Sequence, residues 1–286
     1  MKTKRSYGKW HDSFFDMKRK DHIMFFFSKN KKQKLNVPLI QRKCGITAIC
    51  LKEVTSTNDI LKEYAKQGAP AWTAVIAESQ TGGKGRGNHK FFSPQGSGIY
   101  MSVLLKPKGK TFKPADITAA AGVAACEAIE SIADTECTIK WMNDVLIDGK
   151  KVCGILAEST VVFDERFVVV GAGFNINTPE GGFPQEIAEV AGSILGDKAV
   201  PSAREKLAIA FFYKLDAMMR ASSNELYRAY RDRLFVLGKK VVYDSCEAIV
   251  TDLAYDFRLE LTLANGEKKY LDSGEISLSA LNVKNN

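Results

Sequence analysis

The chain has 286 residues, is 45% hydrophobic and 26% charged, and contains six cysteines and three histidines. That length suits one large domain with one or two small ones, and no apolar run approaches the roughly 20 residues of a membrane span. The cysteines form no CxxC pair and the histidines are only His11, His22 and His89, so neither a zinc site, a His-rich metal centre nor a His-centred triad is expected, and no metal-binding residue is assigned.

The net charge of +8 is unevenly spread. Residues 1–45 hold 13 Lys/Arg against 3 Asp/Glu, a balance of +10, and residues 46–286 balance at −2. Residues 1–45 show no sustained period and are read as a basic unstructured leader, with Lys29-Asn30-Lys31-Lys32-Gln33-Lys34 as a solvated tail. Attraction to nucleic-acid phosphates is the sharper alternative. Ile23–Phe27 is too short for a secretory signal and lacks a cleavage site, so a cytoplasmic protein is expected, with Met24 available as an alternative initiator.

From Ile46 the pattern becomes regular. Ile46–Val54 reads as a strand. Ser56-Thr57-Asn58 offers capping side chains to a helix with Ile60, Leu61, Tyr64 and Ala65 inward, ending at Gly68 before Pro70. Thr73–Glu78 is a strand, a Gly-rich loop runs from Gln80 to Gly98, and Ile99–Leu105 is the next strand. Pro114 opens a helix to about Ala133 whose Ala/Gly-rich face suits close packing on a sheet. Short strands at Thr138–Trp141 and Val145–Ile147 lead to Asp148-Gly149, a hairpin turn signal, then to strands Lys151–Glu158 and Phe167–Asn175. Ser202-x-x-Glu205 and Ser222-x-x-Glu225 are read as capping boxes that start two helices. After Gly238 the text turns to short strands at Val241-Val242, Ala248–Leu253, Arg258–Leu263 and Ile276–Leu278, with an Asn265-Gly266 turn, and suggests a small β-barrel. The domain boundary is placed near Leu237, giving a leader 1–45, a catalytic domain 46–237 and a barrel 238–286.

Three stretches carry candidate chemistry. In Gln80-Thr81-Gly82-Gly83-Lys84-Gly85-Arg86-Gly87-Asn88-His89-Lys90-Phe91-Phe92-Ser93-Pro94, glycines let backbone amides approach a ligand while Lys84 and Arg86 add positive charge, as phosphate binding requires. The loop is neither a P-loop nor a GxGxxG turn, and a bare flexible surface loop is the alternative. Lys140-Trp141-Met142-Asn143-Asp144, followed by Gly154-Ile155-Leu156-Ala157-Glu158, ends a strand with a lysine suited to hold an anion, or simply to face solvent. Gly171-Ala172-Gly173-Phe174-Asn175 puts glycines in a strand, either for close ligand approach or for tight packing.

Taken with Ser56-Thr57-Asn58, these segments resemble, in order and spacing, the biotin–protein ligase family. The resemblance covers about residues 46–286, including Gly274-Glu275-Ile276-Ser277-Leu278. It implies an α+β fold: a mixed β-sheet catalytic domain flanked by helices, of class II synthetase-like or SH2-like type, followed by an SH3-like barrel. It also implies ATP-dependent formation of biotinyl-5′-AMP, with biotin, ATP and Mg²⁺ as the small molecules, and transfer of biotin to a lysine of the biotin carboxyl carrier domain of a carboxylase.

By the same resemblance Lys140, Arg86 and Lys84 are the catalytic candidates. Ser56, Thr57, Asn58, Gln80, Lys84, Gly85, Arg86, Lys140 and Gly154 match biotin-binding positions, and Gly83, Gly85, Arg86, Phe91, Asn143 and Asn175 match ATP-binding ones. The sequence departs from the family pattern at Met142, where proline is usual, at Asn88-His89, at Lys84, where arginine is common, and at Ser279. A homodimer is compatible with the resemblance and a membrane partner is not expected. A biotin-responsive DNA-binding repressor would need an N-terminal helix-turn-helix with clear helical periods, which the 45-residue leader lacks, so sequence-specific DNA binding is not expected. A lipoate–protein ligase would carry an Arg-Arg-x-x-Gly-Gly signature, also absent.

Overall fold

A computed structural model describes residues 35–87, 89–107, 113–162, 165–272 and 277–278. The basic tail to residue 34, Asn88, Gly274 to Ile276 and Ser279 lie outside the described residues.

The first element corrects the sequence reading. Residues assigned to an unstructured leader form helix α1, Val37–Cys44, which starts under an Asn36 cap to Leu39 N and stops at Gly45 in the left-handed region (φ 63°). Ile40 is fully buried in the main core, so the packing of one apolar side chain, worth about 1.5–3 kcal/mol, outweighs the helix's polar character.

Seven strands follow: β1 Thr47–Val54, β2 Thr73–Gln80, β3 Gly98–Leu105, β4 Thr138–Lys140, β5 Asp144–Ile147, β6 Lys150–Val162 and β7 Glu165–Asn175. They form one mixed sheet in the order β1-β2-β3-β7-β6-β5-β4, with β1 and β2 parallel and every other pair antiparallel. The Asp148-Gly149 turn joins β5 to β6 with both residues at positive φ (48° and 73°), the geometry such a hairpin needs. The β5–β6 pairing shifts register between Val145 and Leu146.

Both faces of the sheet are covered, which is why central strand β3 is buried at every position. Helix α2, Thr57–Lys66, packs on β2, β3, β6 and β7 through its buried Leu61 and Ala65. Helix α3, Pro114–Glu130, is buried nearly all round because it also packs against α4, Ala203–Met218, and α5, Ser223–Arg231. Its glycine fits this crowding: a Cβ on Gly122 would lie 3.4 Å from Ile139 Cδ1.

The Ser222–Glu225 capping box forms as the sequence suggests. The one at Ser202 does not. Ser202 sits in the left-handed region without a side-chain cap, and buried Glu205 instead accepts the backbone N–H of Asn36 at 2.8 Å. Docking α1 redirects that carboxylate from its own helix end to a neighbour's.

A second, five-stranded antiparallel sheet ends the chain. It comprises β8 Lys240–Tyr243, β9 Cys246–Leu253, β10 Leu259–Leu263, β11 Lys268–Leu271 and β12 Ser277–Leu278, in the order β11-β10-β9-β8-β12. Its buried residues, among them Val241, Val250 and Leu259, belong to the same hydrophobic cluster as the main core. Among the described residues no helix is long and apolar enough to cross a membrane.

Candidate functional site

The strand register brings distant segments onto one face. Residues directly opposite across a sheet share a face, and the pairings Ala77–Tyr100, Tyr100–Gly173, Gly173–Gly154, Gly154–Asp144 and Asp144–Lys140 run in one continuous row. Lys140 therefore stands on the same face as Gly154, two strands away, or about 10 Å at ordinary strand spacing. One step along, Ser102, Gly171 and Leu156 form a parallel row beneath α2.

A cleft partly open to solvent lies over these rows. Of the residues expected at the site, Ser56, Thr57, Asn58, Gln80, Lys84, Phe91 and Gly154 line it. Gly83 adjoins it, since a Cβ there would fall 2.4 Å from Phe91 O and 2.6 Å from Ser93 Oγ. Gly85, Arg86, Lys140, Asn143 and Asn175 are not among its lining residues.

The cleft wall is a hydrogen-bonded chain. Gln80 Oε1 accepts from Thr57 N at 2.8 Å and Thr57 Oγ1 at 3.1 Å, while its Nε2 donates to Ser93 Oγ at 2.9 Å. Ser56 occupies the N-cap position of α2 without making a side-chain cap, so Gln80 supplies an acceptor that this exposed helix end needs. Buried Ser102 Oγ lies 2.7 Å from Thr57 Oγ1 and 2.6 Å from Asn58 Oδ1. Asn58 Nδ2 donates to Glu158 Oε2 at 2.7 Å.

The strand glycines serve this packing first. A Cβ on Gly171 would lie 2.4 Å from Asn58 Oδ1, and one on Gly173 2.5 Å from Phe91 Cε1. Gly154, opposite Gly173, would meet the same ring at 3.0 Å. Phe91 thus rests on a glycine pair, with Tyr100 at its edge (ring centroids 6.3 Å apart) and Lys151 Nζ 5.7 Å from its centroid. Burial, before any other influence, raises the Tyr100 hydroxyl pKa, so Tyr100 is a neutral wall.

The Gly-rich loop folds on itself through Phe91 N to Gly83 O and Gly85 N to His89 O, both 2.8 Å. Lys84 Nζ meets Asp59 Oδ1 at 2.6 Å, and that hydrogen bond is the main reason its pKa is raised. The Arg86 guanidinium lies 5.8 Å from the Trp141 ring, so the loop approaches the turn that follows Lys140. That turn is pinned at each residue. Trp141 Nε1 donates to Phe257 O at 2.9 Å, Met142 O accepts from Tyr230 Oη at 2.9 Å, and Asn143 exchanges bonds with Ile155 through its backbone and its amide. The Trp141–Met142 peptide is cis. The Lys140 side chain makes no hydrogen bond or ion pair among the described residues, while its backbone pairs with Asp144. Asn175 directs its amide at the backbone of the segment after β7, Gly192 O at 3.1 Å.

Sequence reasoning missed Asp59, Ser93, Ser102 and Glu158. It also missed Lys151, which pairs with Asp144 at 2.7 Å. Only three-dimensional pairing could have flagged Ser102. Glu158 and Ser93 stood inside stretches already singled out, and Asp59 directly follows Ser56-Thr57-Asn58.

Residues 50–175 match the family model described as the biotin/lipoate A/B protein ligase family. The chain is 30% identical over 194 residues to a biotin–[acetyl-CoA-carboxylase] ligase of Mycobacterium tuberculosis, covering 65% of this chain and 70% of that one. It is 39% identical over 142 residues to the bifunctional ligase/repressor BirA of Bacillus spizizenii, covering 49% of this chain and less than half, 44%, of that relative. In structure it is similar to a biotin protein ligase from Aquifex aeolicus in complex with biotin and ATP, with a TM-score of 0.66, 29% identity and coverage of 82% and 98% of the two chains.

Proposed function

Because the chain belongs to the biotin–protein ligase family, we propose that it activates biotin with ATP and transfers it to a lysine of a biotin carboxyl carrier domain of a carboxylase. The observation that carries this reading is the register row that sets Lys140 on the face of the Gln80–Phe91 cleft.

In the first step a biotin carboxylate oxygen attacks the α-phosphorus of ATP, and the bond to pyrophosphate breaks. Two anions must meet, so positive groups positioned where charge develops carry most of the catalysis. Lys140, on the floor of this face, takes the α-phosphate and the carboxylate. Lys84 and Arg86, on the loop, neutralise the same charge from above, with the amides of Gly83 and Gly85. Ser56, Thr57, Asn58, Gln80 and Gly154 hold biotin, whose ureido ring finds donors and acceptors in the Gln80–Thr57–Asn58 chain. Phe91, Asn143 and Asn175 bound the nucleotide side. Mg²⁺ carried in on the triphosphate would offset part of its charge. Among the described residues no group of three or more His, Cys, Asp or Glu side chains is arranged to hold a metal ion.

In the second step the carrier lysine attacks the acyl carbon, the amide forms, AMP leaves and the amine loses a proton. A closed loop protects the mixed anhydride from water. The second sheet is taken as the SH3-like barrel and the main sheet as the synthetase-like catalytic domain, in a cytoplasmic setting. Incubation of the protein with biotin, ATP and a carrier domain tests the reading: biotin attached to the carrier lysine is expected, and a carrier that stays unmodified while pyrophosphate is not released overturns it. Lipoate is not the substrate in this reading, and a lipoate challenge in the same assay checks that. DNA-binding repressor activity is not part of the proposal.

A further inference from the structure

The Gly-rich loop is tied to the first turn of α2 by one ion pair, and we propose that Asp59 is a positioning residue that holds the loop across the cleft through Lys84 and so sets how long an anionic ligand stays bound. This rests on the reading of the cleft as the biotin site.

Lys84 lines the cleft, and so do Thr57 and Asn58, which directly precede Asp59 on α2. The base of the loop is fixed by backbone bonds, Thr81 N to Val54 O at 2.9 Å and Gly82 N to Thr55 O at 2.8 Å. Past Gly83 the backbone bonds of the described residues include Gly85 N to His89 O and His89 N to Arg86 O, both within the loop. The 2.6 Å Lys84–Asp59 pair therefore ties the cationic part of the loop to the helix forming the opposite rim.

Asp59 Oδ1 also lies 3.9 Å from Lys62 Nζ, which is itself paired with Glu158 at 2.5 Å, so Lys62 does not draw Asp59 away from Lys84. The Lys84 ammonium has three N–H donors and can keep Asp59 while it donates to a ligand carboxylate or phosphate. Lys84 and Asp59 are 42% and 39% exposed, so the pair is worth at most a few-fold in rate, about two- to five-fold, and salt should screen it. Asp59 is thus placed to act on retention and not on the chemistry of bond formation.

The test compares the full-length chain with Asp59→Asn and Asp59→Glu. Without substrates, tryptic cleavage after Lys84, Arg86 or Lys90 should run about two- to five-fold faster in Asp59→Asn. With biotin and ATP, escape of the bound adenylate should speed up about two- to five-fold at about 0.05 M NaCl and return to the wild-type rate at roughly 0.5 M. First-turnover pyrophosphate release should change by less than about two-fold, and Asp59→Glu should restore both cleavage and escape rates. Wild-type escape from Asp59→Asn at low salt, or a Glu variant as leaky as the Asn one, overturns the proposal. If the wild type neither binds biotin nor releases pyrophosphate, the ligase reading and the retention claim both fall, while the protease arm alone still reports whether Asp59 holds the loop.

Discussion

The ring of Phe91 occupies the space that a side chain at position 173 would need: a Cβ on Gly173 would lie 2.5 Å from Phe91 Cε1. Gly173→Ala should therefore displace the ring, cost about 1–3 kcal/mol of stability, and weaken binding in the cleft. Adding Phe91→Ala should return part of that loss. Urea unfolding and biotin calorimetry on the two single variants and the double variant check this, and a Gly173→Ala protein as stable as wild type would show that the ring moves freely.

Lys140→Ala separates chemistry from fold. The lysine side chain makes no hydrogen bond or ion pair among the described residues, so stability should shift by less than about 0.5 kcal/mol. First-turnover pyrophosphate release should fall by at least roughly 100-fold, the scale of losing a group aimed at developing charge. An unchanged release rate would remove Lys140 from the mechanism.

Gln80 joins α2 to Ser93 in the far part of the loop. Gln80→Ala leaves Thr57 N without its side-chain acceptor and takes away one of the two partners of Ser93 Oγ, which keeps Phe91 O, and should cost about 1–3 kcal/mol. Gln80→Glu keeps an acceptor at the positive end of α2 and should cost clearly less. Unfolding midpoints rank the three proteins, and equal losses for Ala and Glu would mean that the Thr57 contact contributes nothing.

Glu260 makes stability depend on acid in the second sheet. The bond from Lys268, then those from Tyr270 and Thr251, lower its pKa from 4.5 to about 2. A carboxylate whose folded pKa is depressed contributes fully above its unfolded pKa, and that contribution is lost as pH falls from about 4.5 towards about 2. Glu260→Gln should flatten the decline of the urea midpoint across that window, and parallel curves for the two proteins would sink the assignment.

Local signals read well because their physics is local. Asp148-Gly149 needs two positive φ angles and Ser222-x-x-Glu225 needs only its own turn, and both are found as read. Helix α1 was legible too, from Asn36, Pro38 and Gly45, but the charge of its neighbours hid an eight-residue helix. Ser202-x-x-Glu205 failed because Glu205 answers to α1, far away in sequence. At the candidate site, motif order picked out Gln80, Phe91 and Gly154. It could not show that Gly171 and Gly173 are glycine to admit Asn58 and Phe91, because those contacts exist only after β3, β6 and β7 pair.

The shift between Val145 and Leu146 has a consequence for a residue that takes no part in it. Asp144 pairs with Gly154 and Leu146 with Lys151, so β6 spends one more residue than β5 over this stretch. Val152 and Cys153 both turn into the helical core, and Lys151 emerges beside Gly154, within reach of Asp144 and the Phe91 ring. In an unbroken strand, residues three apart point to opposite sides. Removing Val152 would leave Lys151 two positions from Gly154 and still on its side, so the extra residue lets β6 bury two consecutive apolar side chains without turning that ammonium into the packing beneath α3.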